Sequence, residues 1–243
     1  MLEKSPSLRE VSSYAGPGVC DECDARPFCL AGCLDANHLE TLCRIVRRTG
    51  PFRPGDRIYR RGAPSSHVYA IQQGIAKVES VTRDGRRIVG GFFFEGELLG
   101  LDGIGKGIYP ADAYAVGETR LCALPMDKLE ALCQKTPGLQ KELVRRLSSQ
   151  LSSARYECSA LRQESASHRA LGFIREMYAR QQNHASAQPC HVFLPMPKQD
   201  IASYLGLTPE SLSRSLTRLE QQGIIRRNAN CIEMVREPKR SGK

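Results

Sequence analysis

Three cysteines near the N-terminus are spaced so that they could bind a metal together. Cys20, Cys23 and Cys29 form a CxxC pair that is followed, after five residues, by a third thiol. Thiolates this close in sequence can bind a soft metal ion from one short loop. A tetrahedral site needs a fourth ligand from elsewhere, and Cys122, at the end of a strand-rich region, is a candidate. The spacing therefore predicts a thiolate metal site.

Other cysteines leave alternatives open for this site. Cys33 follows Cys29 by four positions and could complete a local structural zinc site with Cys20, Cys23 and Cys29, and Cys43 is also close in sequence. A thiol redox switch is a further alternative. The remaining cysteines are expected to be small buried or half-buried side chains, and Cys158 would be buried on a helical seam. These cysteines are Cys133, Cys158, Cys190 and Cys231.

The histidines form no catalytic or metal-binding group. Cys190 stands beside His191, but adjacent residues rarely bind one ion and no partner at zinc-like spacing is near, so this segment is expected to be a plain loop. The sequence contains no Walker loop, no GxSxG motif and no HExxH motif. We therefore do not expect an enzyme. The other histidines, each of them isolated, are His38, His67, His168 and His184.

The segment from Lys198 to Ile225, KQDIASYLGLTPESLSRSLTRLEQQGII, predicts two helices joined by a sharp turn. Gly206 lies at the turn, Thr208 has the side chain of an N-cap, and Pro209 suits the first helical position. Apolar residues recur at helical spacing on both sides of the turn, as in a helix-turn-helix. They are Ile201, Ala202 and Leu205 in the first helix and Leu212, Leu216 and Leu219 in the second.

The second of these helices is predicted to read DNA. Glu210, Ser213, Arg214 and Thr217 lie on its outward side, where Arg can pair with guanine and Glu can accept from cytosine in the major groove. The alternative for Glu210 and Arg214 is an ion pair on a solvated helix. The following IIRRNANCIEMV reads as a hairpin wing, whose Arg226 and Arg227 would contact the phosphate backbone.

Two regions must position these residues. From Pro51 to about Leu124, short strand patterns alternate with Gly- and Pro-rich turns, including an Asp84-Gly85 hairpin signal, which predicts a barrel or jelly roll. Between Pro125 and Arg162 the apolar period changes to threes and fours, which predicts a long helix that pairs with another. The seam of this helix consists of Val144, Leu147, Leu151, Ala154, Cys158 and Leu161.

The overall composition agrees with a polyanionic partner. The chain of 243 residues carries 35 Lys and Arg against 26 Asp and Glu, a net charge of +9, which favours binding to phosphates. The first residues lack the apolar stretch of a secretory signal, and no run reaches the length of a membrane span, so we expect a cytoplasmic protein without membrane contact.

Taken together, these motifs resemble the Crp/Fnr superfamily of bacterial transcription regulators. The resemblance runs from about Cys20 to Val235, and ESLSR, with Glu210, Ser213 and Arg214, is similar to the ExxSR reading motif of the Fnr branch. It implies an α+β protein with a cyclic-nucleotide-binding-like β-roll (a jelly roll), a long dimerisation helix and a winged helix-turn-helix. The implied divisions are a cysteine segment at 1–49, the roll at 50–136, the helix at 137–163 and the DNA-binding domain at 164–243.

The resemblance also implies a cofactor and partners. In the Fnr branch, four cysteines in this grouping hold an oxygen-labile [4Fe-4S] cluster, a role that passes here to Cys20, Cys23, Cys29 and Cys122. It further implies a homodimer on palindromic DNA with TTGAT-like half-sites, regulated by oxygen, and contact with RNA polymerase through the hairpin at Thr82–Gly85. Ala154 occupies a seam position where Fnr-type proteins can carry an acid that opposes pairing, so this chain is expected to dimerise more readily without its cluster.

Binding of a cyclic nucleotide is not expected. In that branch of the superfamily an Arg-Ser pair after a Gly-Glu-Leu segment grips the cyclic phosphate. Here Gly96, Glu97 and Leu98 are followed by Pro110-Ala111-Asp112 at the expected place, and Asp112 would repel a phosphate. Glu97 is interpreted as a turn residue. The competing functional class is a metal-binding or electron-transfer protein whose basic charge is incidental.

Overall fold

The computed structural model describes residues 20–182, 191–228 and 231–235. The chain divides into two compact units, one that ends at Ser152 and one that begins at Ser153. The segment before Cys20, together with His184 and Cys190, lies outside the described residues, so the expectations for them are not tested.

Two antiparallel sheets form the main body of the first unit. Their orders are β1-β8-β3-β6 and β2-β7-β4-β5, which confirms the predicted β-roll. Gly85, with a φ of +80°, turns the hairpin between β4 and β5, as the Asp-Gly signal predicts. The strands are β1 Arg47–Phe52, β2 Arg57–Tyr59, β3 His67–Gln73, β4 Ala76–Val81, β5 Arg87–Phe93, β6 Leu98–Leu99, β7 Asp112–Ala115 and β8 Thr119–Pro125.

Strands β3 and β8 separate two hydrophobic cores. Because successive side chains of a strand point to opposite faces, Tyr69 and Ile71 of β3 enter the core inside the roll, while Val68 and Ala70 enter a second core outside it. The inner core includes Tyr59 stacked on Tyr109, with ring centroids 4.0 Å apart. The outer core is covered by helices and by the cysteine-rich segment.

Three helices belong wholly or partly to this unit: α1 Ala36–Ile45, α2 Met126–Lys135 and α3 Pro137–Gln163. Asp35 caps α1 by accepting a hydrogen bond from the His38 backbone N–H at 2.9 Å. The sequence analysis did not predict α1. The long helix that it did predict is observed as α3, and none of the described helices is both long and apolar enough to cross a membrane.

The predicted seam of α3 is exposed to solvent in the single chain. Val144, Leu147, Leu151 and Leu161 are between 39% and 59% exposed. Cys158 on the same seam is exposed too, so the expectation that it is buried or half-buried is wrong for one chain. An apolar row of this kind on a polar helix is the pattern of a surface that is covered by another helix.

The second unit contains the predicted winged helix-turn-helix. A three-stranded sheet in the order β10-β11-β9 packs with three helices, and Ile174, Met177, Leu212 and Leu219 are buried in its core. His191–Phe193 pairs with β11, so the prediction of a plain loop is wrong for these residues. The elements are α4 Ala166–Gln182, β9 His191–Phe193, α5 Lys198–Tyr204, α6 Pro209–Gln221, β10 Ile225–Asn228 and β11 Cys231–Met234.

Candidate functional site

The cysteine segment folds as a series of tight turns. The Arg26 N–H donates to the Cys23 carbonyl at 2.9 Å, and the Cys29 N–H donates to the Arg26 carbonyl at 3.1 Å. A Cβ on Gly32 would lie 2.7 Å from the Arg26 carbonyl oxygen, so only glycine fits this return of the chain. Leu30 is buried in the outer core, which fixes the segment to the roll. The two 3-10 turns are Arg26–Phe28 and Leu30–Cys33.

Strand alternation brings Cys122 to the same place. Leu121 and Ala123 of β8 enter the inner core, so Cys122 between them faces the outer core, where Cys20 and Cys29 also pack. Cys122 is paired on one side with Ala70 of β3 and on the other with Arg48 of β1. A strand about 90 residues from the loop in sequence therefore contributes a thiol to the loop's own core.

The thiols fall into two groups. Cys29 and Cys122 lie close enough to Cys20 to raise its pKa. In the same way Cys23 raises the pKa of Cys29, and both raise the pKa of Cys122. Cys33 is exposed, donates to the Leu30 carbonyl at 3.1 Å, and has Glu142 and Arg146 as charged neighbours. The structure thus brings Cys122 to the three loop thiols, while Cys33 neighbours Cys29 from the solvent side.

Cys43 also lies near these thiols, although the sequence alone did not assign it to the candidate metal site. It lies on α1, is 1% exposed, and belongs to the same hydrophobic core as Cys20. The helical period could have indicated that Cys43 faces inward with Leu39 and Leu42, both of which are buried. This thiol was missed because α1 itself was not predicted.

Burial keeps the thiols of Cys20, Cys29 and Cys122 protonated in the metal-free protein. It raises the pKa of Cys122 to about 12 and, with the Cys43 thiol as second cause, raises the pKa of Cys20 still further. Burial also raises the pKa of Cys29, against the lowering effect of the Ala31 backbone N–H and the Arg146 guanidinium. A bound cation would reverse this balance, because thiolate is the form that ligates soft metals.

The donor set fits a soft metal centre in its chemistry. Cys20, Cys29 and Cys122 are desolvated thiols with Cys23 as a neighbour, and Arg48 and Arg146 are close enough to favour the thiolate forms of Cys122 and Cys29. Within the described residues, no three His, Cys, Asp or Glu side chains are already arranged to hold a metal ion. Cys20, Cys29 and Cys122 share one core without standing at ligand positions.

Arg146 joins the cysteine segment to α3. Its guanidinium donates to the Phe28 carbonyl at 2.7 Å and to the Gly96 carbonyl at 3.0 Å, and it pairs with Glu142 one turn earlier on the helix at 2.8 Å. The Arg146 side chain is only 16% exposed. Because Phe28 immediately precedes Cys29, one side chain of the long helix holds the backbone beside a candidate metal ligand.

The turn at Gly96 packs directly against the cysteine segment at Phe28. Gly96 has a φ of +81°, and a Cβ there would lie 2.5 Å from the Phe28 Cβ, so only glycine allows this approach. The Glu97 carboxylate accepts from the Phe94 N–H at 3.1 Å, as expected of a turn residue.

Asp112 accepts from the Arg61 N–H at 3.2 Å and lies 3.6 Å from the Arg57 side chain.

The turn before α6 is built as predicted. Gly206 has a φ of +60°, and the Thr208 hydroxyl accepts from the Ser211 N–H at 3.1 Å to cap the helix. The Arg169 guanidinium of α4 donates to the Leu205 carbonyl at 2.6 Å, which fixes the end of α5. These contacts determine the direction in which the first turn of α6 points.

The exposed side of α6 carries most of the residues that are predicted to contact DNA bases. Glu210 and Arg214 are exposed, and Ser213 is half-buried. The pKa of Glu210 is lowered first by its own backbone N–H, then by the Thr208 hydroxyl and by Arg214, so Glu210 remains ionised at the positive end of the helix. On the inner side, Ser215 is buried while Leu216 is only partly buried, because positions 212, 215 and 219 lie most directly over the core.

The wing arginines are engaged within the protein. Arg227 binds Glu220 of α6 through its backbone N–H at 3.1 Å and its Nε at 2.9 Å, and it also donates to Thr217 at 3.2 Å. Arg226 pairs across the hairpin with Glu233 at 3.0 Å. Arg227 therefore fastens the wing to the recognition helix, a role that sequence reasoning did not assign.

Comparison with known families matches both units. The model of the cyclic nucleotide-binding domain matches residues 50–136, and that of the Crp-like helix-turn-helix domain matches residues 168–239. The first match concerns the roll and does not by itself establish a ligand.

Relatives match along most of the chain. It is 32% identical to the transcriptional activator protein anr of Pseudomonas aeruginosa over 207 residues, which cover 85% of this chain and 84% of the relative. It is 28% identical to the fumarate and nitrate reduction regulatory protein of Escherichia coli, over 93% and 90% of the two chains. The solved structure of FixK2 from Bradyrhizobium japonicum aligns with a TM-score of 0.70 and 27% identity, over 79% of this chain and 92% of that one. The chain belongs to the Crp/Fnr superfamily of transcription regulators, on its Fnr branch.

Proposed function

We propose that this regulator binds palindromic Fnr-type DNA sites as a homodimer when Cys20, Cys23, Cys29 and Cys122 hold a [4Fe-4S] cluster, and that it thereby responds to oxygen. The observation that supports this most is the common core of Cys20, Cys29 and Cys122, with Cys23 as an electrostatic neighbour of Cys29 and Cys122. A cluster bound there would supply oxygen-labile iron-sulfur chemistry and a link between loop and strand. Each remaining step depends on the protein's own residues.

Arg146 is proposed to make the position of the long helix α3 depend on the conformation of the cysteine segment. It holds the Phe28 and Gly96 carbonyls together, so a displaced Cys29 backbone would withdraw one of its partners. Gln150, one turn further along α3, donates to the Leu98 carbonyl at 3.4 Å and connects the same face of the helix to the roll. The position of the N-terminal half of α3 would then depend on whether the loop is in place.

The exposed seam of α3 is proposed to pair with that of a second copy. Val144, Leu147 and Leu151 are exposed apolar residues on one side of a helix whose other side is bound to the roll by Arg146 and Gln150. Burying such side chains against their equivalents is worth about 25 cal/mol per Å² of apolar surface. Ala154, also exposed, adds no charge that would oppose this pairing.

DNA reading is assigned to the N-terminal half of α6. Arg214 would pair with guanine and Glu210 would accept from cytosine, while Ser213 would approach the same edge of the groove. In a dimer two such helices would lie about 34 Å apart, one turn of DNA, and would read a palindrome. Contact with RNA polymerase is proposed for the β4–β5 hairpin, where Thr82 donates to the Arg86 carbonyl at 2.9 Å and braces the exposed turn.

The zinc alternative is weakened by the surroundings of Cys33. A local site would need the Cys33 thiol to leave the Leu30 carbonyl, to which it donates at 3.1 Å, and Cys33 is exposed. Cys122 instead packs in the same core as Cys20 and Cys29. We therefore retain Cys122 as the fourth ligand of the proposed centre.

The proposal is tested by DNA binding under controlled atmosphere. Full-length protein, reconstituted without oxygen with iron and sulfide, is titrated into a labelled duplex with two TTGAT-like half-sites and into a scrambled duplex. We expect a preference for the palindrome that is lost after air exposure and in Arg214→Ala, which should retain its iron. Equal affinity for both duplexes in the anaerobic wild-type protein would overturn the proposal.

A further inference from the structure

Leu161, the last residue of the proposed pairing seam, also lies against the helix-turn-helix. Its Cδ2 methyl would be 3.0 Å from a Cβ on Gly206, the glycine of the turn before α6. Leu161 is 45% exposed, so part of its side chain packs on this turn while nearly half of it stays accessible to solvent. One residue of the long helix therefore belongs both to the seam and to the surroundings of the turn.

The turn is held by one polar and one apolar contact. The Arg169 guanidinium donates to the Leu205 carbonyl at 2.6 Å, and its Nη1 would lie 3.3 Å from the same Cβ on Gly206. A methyl group makes no directional bond, so Leu161 contributes close packing against backbone that has no side chain of its own. Arg169 fixes the end of α5, and Leu161 limits how far the turn can move towards α3.

The connection between α3 and α4 is short and capped. The Glu164 N–H donates to the Ala160 carbonyl at 2.9 Å, which continues the hydrogen bonding of α3. The Ser165 hydroxyl accepts from the His168 N–H at 3.3 Å at the start of α4. Since Arg169 follows one residue later, the end of α3, the first turn of α4 and the turn before α6 form one local group.

We infer that Leu161 positions the recognition helix relative to the end of α3, and that it thereby sets the spacing of half-sites that a dimer accepts. The positioning rests on contacts within one chain, whereas the spacing rests on the proposed function, because it needs a dimer on a palindrome. The distance between two recognition helices must match the distance between half-sites. With a shorter side chain at 161 the turn is free to tilt, and the two helices can meet half-sites at several spacings.

The substitution Leu161→Ala should leave the domain folded. Leu161 is nearly half exposed, so its removal opens no closed cavity. Phe173 of α4 still packs on Tyr204 of α5, with ring centroids 5.7 Å apart. The core of the domain is made by other side chains, which include Ile174, Met177, Leu212 and Leu219.

Amide hydrogen exchange in the free, full-length protein tests the positioning. The N–H groups of Gly206 and Leu207 donate within the turn, at 3.1 and 2.8 Å, and report its local opening. We expect both to exchange about fivefold faster in Leu161→Ala and at the wild-type rate in Leu161→Met, which refills the space. Leu151→Ala, at an exposed seam position ten residues earlier, should not change them. Wild-type exchange in Leu161→Ala, or faster exchange in Leu151→Ala as well, would overturn the inference.

A series of duplexes tests the spacing. Protein reconstituted anaerobically is titrated into duplexes whose two TTGAT-like half-sites stand at the best spacing or one base pair nearer or farther, and into a duplex with one half-site. Each variant is used above its own dimer dissociation constant, measured by sedimentation. We expect the wild-type protein and Leu151→Ala to favour one spacing by about tenfold and Leu161→Ala by only about twofold, with unchanged affinity for the single half-site.

Two results would overturn the spacing role of Leu161. One is a spacing preference in Leu161→Ala as strong as that of the wild-type protein, and the other is an equal reduction in Leu151→Ala. A weakened single half-site complex in Leu161→Ala would count against it too, because the damage would then lie in the reading face itself. If the wild-type protein has no preference for the palindrome, the proposed function fails, and the exchange rates still decide whether Leu161 holds the turn.

Discussion

Replacing Arg146 with alanine should uncouple the cysteine segment from dimerisation. The side chain makes three hydrogen bonds of 2.7 to 3.0 Å while only 16% exposed. Bonds of this kind to a charged group contribute about 1.5–3 kcal/mol each, and water that replaces the side chain recovers part of that. We expect a net loss of about 2 kcal/mol in the coupling between loop and helix, which corresponds to roughly a thirtyfold change in an equilibrium constant.

Arg145 provides the matched control. It is adjacent, carries the same charge and pairs with the same Glu142, but it is 66% exposed, and its two hydrogen bonds to Glu142 do not involve the cysteine segment. An exposed ion pair contributes only about 0–1 kcal/mol, so Arg145→Ala should behave nearly as the wild-type protein does.

Sedimentation of cluster-loaded and cluster-free protein measures the coupling. The quantity compared is the ratio of the two dimer dissociation constants in each variant. We expect this ratio to shrink about thirtyfold in Arg146→Ala and by less than about fivefold in Arg145→Ala. An unchanged ratio in Arg146→Ala, or the same reduction in both variants, would refute the role given to Arg146.

Two further substitutions test the site and the wing. Gly96→Ala should lose most of its anaerobic iron uptake, because its Cβ would lie 2.5 Å from the Phe28 Cβ. Gly85 has a similar φ and open space around it, so Gly85→Ala should retain iron uptake. Equal iron contents in the two variants would contradict the close packing of Gly96 against the cysteine segment. Arg227→Ala should speed amide hydrogen exchange in β10 and β11 about tenfold, since side-chain bonds to Glu220 and Thr217 worth about 1–2 kcal/mol are lost, and Arg226→Ala should change it less. Identical exchange in the two variants would remove the proposed wing anchor.

Local chemistry made much of the fold predictable from the sequence. The Asp84-Gly85 turn, the Thr208 cap and the Gly206 turn each require specific residue types, and each is formed as expected. The long helix followed from its apolar period, and its seam is exposed in the single chain, as the proposed pairing with a second copy requires.

Long-range register was less accessible to sequence reasoning. The position of Cys122 depends on which face of β8 meets the outer core, and a shift of one residue would have turned it into the roll. Helix α1, the thiol of Cys43 and the three-residue strand at His191 were missed because short elements carry few periods of pattern. The ion pair of Arg227 with Glu220 depends on how a wing folds back onto a helix, which neither segment specifies alone.

The central claim is that Cys122, and not Cys33, completes a sulfur-bound centre with the loop thiols. Iron, acid-labile sulfide and zinc are measured in wild-type, Cys122→Ser and Cys33→Ser proteins after anaerobic reconstitution. We expect about four iron atoms and four sulfides per chain, as in a [4Fe-4S] cluster, in the wild-type and Cys33→Ser proteins, and their loss in Cys122→Ser. Retention of iron and sulfide in Cys122→Ser with loss in Cys33→Ser, or one zinc without sulfide in the wild-type protein, would contradict the account.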